Sequence, residues 1–139
     1  MMMQQHKFSK KECKEINDLL SQLFEKKIER TEDQINSVST GNAFILTTTI
    51  NKKIIAMACV YIQRTISRYM AVIEECVVDK KHRGKGVGHD LMDRIIALCK
   101  WFEVDCIELT AKNAQAIRMY KGLGFEQRGT NKCFRLWLK

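Results

Sequence analysis

A glycine-rich stretch between a strand-like run and a helix-like run restricts the fold of this chain more than any other feature. It reads HRGKGVG at residues 82–88, follows an apolar β-branched run and precedes apolar residues at helical spacing. Glycine lacks a Cβ and tolerates positive φ, so the chain can turn sharply there. The first amides of the following helix have no intrahelical partners and lie at its positive end, which favours a bound phosphate or pyrophosphate. With Arg83 and Lys85 beside them, these amides predict an anion-binding strand–loop–helix unit.

The stretch fits other phosphate-binding loops poorly. The dinucleotide fingerprint has the spacing G-x-G-x-x-G, whereas residues 84–88 read G-x-G-x-G. A Walker loop needs Ser or Thr after its Gly-Lys pair, and here Lys85 is followed by Gly86. On these residues alone, a glycine-rich connection without a ligand is as acceptable as a phosphate site.

Two capping boxes mark the first helices. Glu12 follows Ser9 by three residues, and Gln34 follows Thr31 by three residues. In each pair the second side chain can reach back to the backbone N–H of the first residue. Apolar residues between positions 13 and 23 recur at helical spacing. We therefore predict one long helix and one short helix before the first strand.

From residue 43 the sequence changes to β-branched and apolar residues. AFILTTTI, IIAMACVYI and YMAVIEECVV are typical of strands, and the NKK between the first two is typical of a tight turn. These runs predict an antiparallel meander that ends near Val78.

The second half of the chain alternates helical and strand patterns. Helical spacing returns at Leu91, Ile95, Leu98 and Phe102. CIELT at 106–110 predicts a short strand, NAQAIRMYKGLGF a helix ended by Gly122 or Gly124, and CFRLWL at 133–138 a closing strand. This order indicates an α/β (α+β) fold with a central mixed sheet, in one domain over residues 1–139.

Composition narrows the compartment and the partners. No apolar run has the length of a membrane span and the first residues lack the apolar core of a secretion signal, so we expect a cytoplasmic protein without a membrane partner. In that compartment the six cysteines are expected to be free thiols, and no pair has the C-x-x-C spacing of a zinc site, so no metal is expected. The cysteines are Cys13, Cys59, Cys76, Cys99, Cys106 and Cys133. The net charge of +8 favours anionic partners.

Two motifs together resemble one known family. Arg83-x-x-Gly86-x-Gly88, after a strand and before an amphipathic helix, resembles the acetyl-CoA pyrophosphate loop of the GNAT superfamily of N-acetyltransferases. LTAKNAQAIRMYKGLGFEQRG resembles that superfamily's second signature, and the likeness extends over residues 70–138. The resemblance implies a mostly antiparallel mixed sheet, flanked by helices and splayed at an acetyl-CoA cleft. It also implies direct transfer of an acetyl group from acetyl-CoA, the cosubstrate, to a primary amine in a ternary complex.

The resemblance carries over the residues that hold acetyl-CoA. The strand end would pair with the pantetheine amides, the loop would hold the pyrophosphate through main-chain N–H groups, and two residues of the following signature would contact the pantetheine arm and the thiolate. By position these residues are Cys76, Val77, Val78, Arg83, Gly84, Lys85, Gly86, Val87, Gly88, Asn113 and Tyr120.

The same resemblance implies the catalytic groups. Tyr120 matches the acid that protonates the departing CoA thiolate, and a phenol holds that proton at neutral pH. Glu74 matches the carboxylate that takes a proton from the acceptor amine, with Glu75 as the alternative. Because successive strand residues face opposite sides unless a bulge intervenes, and Glu74 shares its parity with Cys76 and Val78, Glu74 is preferred.

The acceptor is left unassigned among an amino sugar phosphate, another small-molecule amine and a protein amine. Arg64 and Arg68, expected near the cleft, disfavour a polycationic acceptor. The block VIEECVVDKKHRGKGVG resembles the glucosamine-6-phosphate N-acetyltransferase branch, whereas NAQAIRMYKGLGF departs from it. A homodimer is left open.

The alternative function is a module without catalysis, which senses CoA or binds nucleic acid through its basic surface. Binding of nucleic acid favours exposed aromatic residues among Lys and Arg. We expect most of Trp101, Phe102, Phe134 and Trp137 in the core instead, so nucleic acid ranks second.

Overall fold

The computed structural model describes residues 6–129 and 134–139. The elements in chain order are α1 (Lys10–Phe24), α2 (Glu32–Val38), β1 (Ala43–Ile50), β2 (Lys53–Arg64), β3 (Tyr69–Val78), a 3-10 turn (Lys80–His82), α3 (Val87–Trp101), β4 (Cys106–Glu108) and α4 (Ala114–Gly122). Both predicted capping boxes are confirmed at the starts of α1 and α2. The predicted turn between the first two strands is also confirmed, with Asn51 and Lys52 at φ 49° and 62°.

The strands form one mixed sheet in the order β1-β2-β3-β4. The first three strands are antiparallel neighbours, and β4 is parallel to β3 because α3 carries the chain across between them. The pairing of β3 with β4 covers only Met70–Val72 against 106–108, so β3 continues to Val78 without a partner on that side among the described residues. The sheet therefore opens there, as the predicted splayed fold requires.

Two hydrophobic cores cover the two faces of the sheet. Leu91, Met92 and Ile95 of α3 pack on one face against strand residues such as Ala56, Ala58 and Val60. Residues 16–20 of α1 pack on the other face against Met57, Cys59 and Val77. Strand β2 is buried on both faces, which explains its nearly unbroken apolar sequence.

The C-terminal segment differs from its prediction. Cys133, at the start of the predicted closing strand, lies outside the described residues, and residues 134–139 form no strand. Phe134 and Trp137 are exposed, as is Trp101 on α3, so the expected core location is wrong for these three aromatic residues. The physical reason is geometric: Trp101 lies on the outer side of α3, and residues 134–139 pair with no strand in the part of the chain that the structure describes.

The cysteines that the structure describes form no disulfide. Cys13, Cys59 and Cys99 are buried, Cys76 and Cys106 are half-buried, and all five are free thiols. Across residues 6–129 and 134–139, no three His, Cys, Asp or Glu side chains are grouped as metal ligands would be. Within the same ranges, no helix has the length and apolar character needed to cross a bilayer.

Candidate functional site

The open end of β3 leads into a cavity of about 390 Å³, which we call the loop cavity. Its walls come from the end of α1, the end of β3, the glycine-rich loop, the start of α3 and the first turns of α4. The lining residues are Gln22, Leu23, Glu25, Cys76, Val77, Val78, His82, Arg83, Gly84, Gly86, Val87, Gly88, His89, Asn113, Gln115, Ala116, Met119 and Tyr120. Every residue that the sequence suggested for holding acetyl-CoA is among them except Lys85.

The start of α3 presents bare amides to this cavity. Gly86 is the N-cap of the helix at φ 82°, and it has no side chain to cap the first turn. The first intrahelical bond runs from Asp90 N to Gly86 O at 3.0 Å, so the N–H groups of residues 87–89 have no intrahelical acceptor. Gly84 is also left-handed, at φ 74°. A Cβ added at Gly84 or Gly86 would have no neighbouring atom within 4 Å, so the space beside both residues is open. The loop thus offers donors and open space suited to an anion.

The free edge of β3 presents peptide groups to the same cavity. Asp79 N donates to Ile55 O at 2.8 Å, and residues that face a neighbouring strand alternate along an antiparallel pair. Val77 therefore faces β2, while the peptide groups of Cys76 and Val78 face the open edge. Arg83 Nε donates to Val78 O at 2.8 Å, so Val78 retains its N–H for a ligand and its carbonyl is occupied.

Tyr120 is buried on α4 and lines the loop cavity beside the Cys76 thiol. Burial raises the pKa of Tyr120 well above its usual range, and the neighbouring Cys76 adds to the shift. Burial likewise raises the pKa of Cys76. The Tyr120 ring packs against Phe125, with 5.7 Å between ring centroids. The phenol is therefore protonated at neutral pH and has a proton to donate, while the raised pKa of Cys76 makes that thiol a weak nucleophile.

Asn113 begins α4 and has a structural bond of its own. Its Oδ1 accepts a hydrogen bond from Ala116 N at 2.7 Å, which makes it the N-cap of the helix. The side-chain Nδ2 group is the part of this residue left to donate to a ligand in the loop cavity.

The two candidate bases lie at a β-bulge, so the alternation of side chains along β3 no longer indicates which of them faces the same side as Cys76. Glu75 has φ 52°, and the pairing of β2 with β3 shifts register between Met57 and Cys59. Glu74 is opposite Cys59, whose Sγ lies 3.7 Å from Glu75 Oε2, so both carboxyl groups lie on the α1 side. Cys76 instead packs on the α3 side. The expectation that Glu74 shares a face with Cys76 is wrong, and the identity of the base stays a prediction.

The carboxyl groups affect two other side chains on the same face. Burial raises the pKa of Cys59 to about 12, with Glu75 the next cause. Burial also raises the pKa of Tyr61 to about 12, with Cys59 and then Glu75 contributing. Tyr61 was not among the residues suggested by the sequence, because nothing local marks a tyrosine of β2 as a neighbour of residue 75.

A second opening lies along the outer edge of β4, with a volume of about 640 Å³, and we call it the β4 groove. It is lined by Val72, Glu74, Ile107, Glu108, Leu109, Thr110, Ala111, Ile117, Tyr120, Lys121, Phe125, Glu126, Gln127, Arg128 and Gly129. Tyr120 lines both this groove and the loop cavity, whereas Glu74 lines the groove only. The predicted acid therefore lies at the junction of two openings.

Asp79 connects α1 to the glycine-rich loop. Gln22 Nε2 donates to Asp79 Oδ1 at 3.1 Å, and Lys80 N donates to Gln22 Oε1 at 2.9 Å. His82 Nδ1 lies 3.2 Å from Asp79 Oδ2. Burial alone would raise the pKa of Asp79, but the hydrogen bonds from Gln22, Lys81 N and His82 outweigh it and lower the pKa. No local pattern indicates that the end of α1 forms a wall of the cavity, since these contacts span more than fifty positions.

The two arginines expected near the cleft contact other side chains and are not among the residues that line it. Arg64 stacks over the Tyr69 ring at 5.4 Å, and Arg68 Nη2 lies 3.7 Å from Glu108 Oε1. Neither arginine lines the loop cavity or the β4 groove. Arg64 is opposite Tyr69, five residues from Glu74 along β3, which is about 17 Å. Glu108 lines the β4 groove together with Glu74, so the Arg68 charge lies next to that groove, whereas the Arg64 charge is remote from it.

Comparison with known proteins matches this geometry to one family. The sequence profile of the acetyltransferase (GNAT) family matches residues 12–125. L-amino acid N-acetyltransferase AaaT of Escherichia coli is 42% identical over 77 residues, which are 53% of this chain and 47% of that protein. An uncharacterized N-acetyltransferase of Methanocaldococcus jannaschii is 36% identical over 76 residues, 53% of this chain and 34% of that protein. The matched stretch thus spans less than half the length of either relative.

Solved structures share the fold over almost the whole chain. An acetyltransferase of Trypanosoma brucei superposes with a TM-score of 0.77 at 18% identity, covering 93% of this chain and 96% of that one. Glucosamine-6-phosphate N-acetyltransferase of Arabidopsis thaliana superposes with a TM-score of 0.76 at 20% identity, covering 94% and 95%. At these identities the likeness concerns the fold.

Proposed function

This chain belongs to the acetyltransferase (GNAT) family, and from that premise we propose that it transfers an acetyl group from acetyl-CoA to a primary amine by direct attack in a ternary complex. One observation carries the proposal. The bare amides at the start of α3, the free edge of β3 and the protonated Tyr120 all line one cavity. We further propose that residues 1–139 act as one domain in the cytoplasm.

The residues of the loop cavity fit acetyl-CoA by their donor chemistry. The N–H groups of residues 87–89 and the left-handed glycines of the loop would hold the pyrophosphate, with Arg83 and Lys85 adding charge. The open edge at Cys76 and Val78 would pair with the pantetheine amides as a neighbouring strand does, with Asn113 contributing from α4. The bound cosubstrate supplies the thioester carbonyl.

The catalytic steps use a carboxyl group as the base and the Tyr120 phenol as the acid. Glu74 or Glu75 takes a proton from the acceptor ammonium, directly or through water, because only the neutral amine can attack. The nitrogen then forms a bond to the thioester carbon while an N–H of the β3 edge polarises the carbonyl oxygen. As the carbon–sulfur bond breaks, Tyr120 donates its phenol proton to the thiolate. The nitrogen loses its second proton on forming the amide, and that proton, carried by water, restores the phenol. Holding amine and thioester together supplies a further part of the rate.

The acceptor is proposed by class only. The E. coli relative is named for L-amino acids, which makes α-amino groups the first class to test. The Arabidopsis neighbour is named for glucosamine-6-phosphate, so amino sugar phosphates are the second class. Peptide amines complete the set, and we expect neither nucleic acid nor a membrane among the partners.

The proposal is tested by binding and turnover measured separately. Calorimetry should detect CoA binding, and thiol release from acetyl-CoA should rise with at least one amine class among amino acids, amino sugar phosphates and peptides. The absence of CoA binding would overturn the proposal. Binding without thiol release across all classes would favour the non-catalytic CoA-sensing alternative.

A further inference from the structure

A small cluster of side chains on the α1 side of the sheet surrounds the bulge in β3. Cys59 Sγ lies 3.7 Å from Glu75 Oε2, and the Tyr61 hydroxyl lies beside Cys59. Cys59 and Tyr61 are two positions apart on β2, so their side chains share one face of the strand. Cys59 belongs to the core under α1, and Tyr61 packs against that core. The proposed function assigns no role to either of these β2 residues.

The backbone of Glu75 has a conformation that glutamate rarely adopts. Its φ is 52°, and of the described non-glycine residues with positive φ it alone lies within a strand. A left-handed conformation is unfavourable for a residue with a Cβ, and it persists where neighbouring groups hold it, most often at functional sites. A bulge also gives a side chain a new direction. Here that direction is toward Cys59.

Both β2 side chains are hydrogen-bond donors at neutral pH. Because burial raises the pKa of the Cys59 thiol and of the Tyr61 phenol, both groups keep their protons. An ionised carboxylate has only acceptor oxygens, so the Cys59 S–H donates to Glu75 Oε2. The Cys59 sulfur can in turn accept from the Tyr61 O–H. The three groups therefore form a chain of donors that ends at the carboxylate.

The two candidate bases differ in how firmly they are held. Glu74 is exposed, whereas Glu75 is half-buried and contacts a buried thiol. A carboxyl group fixed by its neighbours needs no ordering before proton transfer, whereas a free side chain must be ordered each time. Cys76, the next residue of β3, lies on the opposite face beside Tyr120. Glu75 and Tyr120 therefore lie on opposite sides of the open edge of β3.

We propose that Glu75 is the base for the acceptor amine and that Cys59 and Tyr61 are positioning residues that hold its carboxyl group. This inference rests on the proposed acetyl transfer. The carboxylate takes one proton from the acceptor ammonium, which leaves the neutral amine, and it releases that proton to water after turnover. Cys59 and Tyr61 keep their own protons throughout. The base then acts on the α1 side of the sheet and the acid, Tyr120, on the α3 side.

Two substitutions at Cys59 separate positioning from packing. Cys59→Ala removes the donor and should slow single-turnover thiol release about tenfold with an amine that the wild type accepts. CoA affinity in calorimetry should not change, because residue 59 lines neither opening. Cys59→Ser keeps a donor and should restore most of the rate, although a buried hydroxyl should lower Tm further than alanine does. A slower rate in Cys59→Ser than in Cys59→Ala would overturn the proposal.

A matched control and a double substitution test whether the effect acts through Glu75. Cys99→Ala removes an equally buried thiol from the core under α3 and should leave the rate unchanged. In the Glu75→Gln background, Cys59→Ala should slow the reaction no further, because no base remains to be positioned. In the Glu74→Gln background it should still cost about tenfold. Equal losses in the two backgrounds would overturn the proposal.

Tyr61 is expected to act through Cys59. Tyr61→Phe removes the hydroxyl and keeps the ring that packs against the core under α1. It should slow single-turnover thiol release about threefold, less than Cys59→Ala does, because the hydroxyl is one step further from the carboxylate. Combined with Cys59→Ala it should have no additional effect. Losses that multiply in the double variant would overturn the chain from Tyr61 through Cys59.

Infrared spectroscopy measures the contact without turnover. The S–H stretching band of Cys59, identified by its loss in Cys59→Ala, should move to higher wavenumber in Glu75→Gln and stay in place in Glu74→Gln, because an amide oxygen is a weaker acceptor than a carboxylate. A band that stays in place in Glu75→Gln would overturn the proposal. If the band moves but the wild type acetylates no amine class, the proposed function fails, and with it the role of Glu75 as base. Wild-type turnover that Cys59→Ala leaves unchanged would overturn the positioning role alone.

Discussion

Replacing Tyr120 by phenylalanine removes one oxygen from the junction of the two openings and leaves the ring. The ring is 8% exposed and packs against Phe125, and phenylalanine preserves this contact. The lost contact is the one with the Cys76 thiol, worth at most about 1 kcal/mol. For a chain of 139 residues this lowers Tm by about 3 °C.

The rate should fall far more than the stability. Loss of a general acid costs about 10²- to 10⁴-fold, and a thiolate is a weakly basic leaving group. The lower end is therefore expected for Tyr120→Phe, about 10²-fold or about 2.7 kcal/mol of activation free energy. Because the pKa of Tyr120 is raised, wild-type turnover should show no loss from phenol ionisation below about pH 10.

The assay measures thiol release in a single turnover at saturating acetyl-CoA. A single turnover reports the chemical step even where product release is slow. Tyr69→Phe is the matched control, since Tyr69 is a half-buried tyrosine at the other end of β3 that lines neither opening. It should react at the wild-type rate. A wild-type single-turnover rate in Tyr120→Phe would refute the role of the phenol as proton donor.

Three further perturbations test other parts of the site. Gly86→Ala places a Cβ at φ 82°, which costs roughly 1–2 kcal/mol of backbone strain and should lower Tm by about 3–7 °C in scanning calorimetry. Gly122→Ala, with ordinary φ and open space, should not lower it, and equal Tm values for the two variants would contradict the strain argument. The pKa of Asp79 is lower in the folded protein than in the unfolded chain, where it is about 3.9. The ionised carboxylate therefore stabilises the fold above about pH 3.9, and this stabilisation is lost as pH falls through the folded pKa. Asp79→Asn should lower Tm by about 7 °C at pH 7 (about 2 kcal/mol) and by less at pH 3, and an equal loss at both pH values in scanning calorimetry would rule out the ionised carboxylate as the cause. One of the variants Glu74→Gln and Glu75→Gln removes the base and should lower kcat about 10²-fold or more, with KM for acetyl-CoA unchanged. Full activity in both variants would exclude both residues as the base.

Local features of the fold followed from short-range chemistry. The capping boxes at Ser9 and Thr31 and the turn at Asn51 involve residues within three positions of each other, so the sequence alone predicts them. The bare start of α3 is likewise a consequence of glycines at fixed positions. Each of these depends on backbone freedom and nearby hydrogen bonds, which do not require knowledge of the rest of the chain.

The bulge at Glu75 shows where such reasoning stops. An extra residue in one strand is defined only by its pairing with the partner strand, here between Met57 and Cys59. Parity along β3 therefore could not assign a face to Glu74. Tyr61 entered the site for the same reason, through a neighbouring strand.

The sequence by itself determined the order of helices and strands as far as α4, the glycine-rich loop and the two family motifs, because each depends on residues close together in the chain. Only the tertiary structure decided that Gln22 lines the loop cavity, that Tyr120 lines two openings and that Arg68 pairs with Glu108 at the β4 groove. These relations join residues tens of positions apart, and they arise when apolar faces pack and the strands take a particular register. A pattern of neighbours along the chain specifies which faces are apolar, but not which distant side chains that packing brings together.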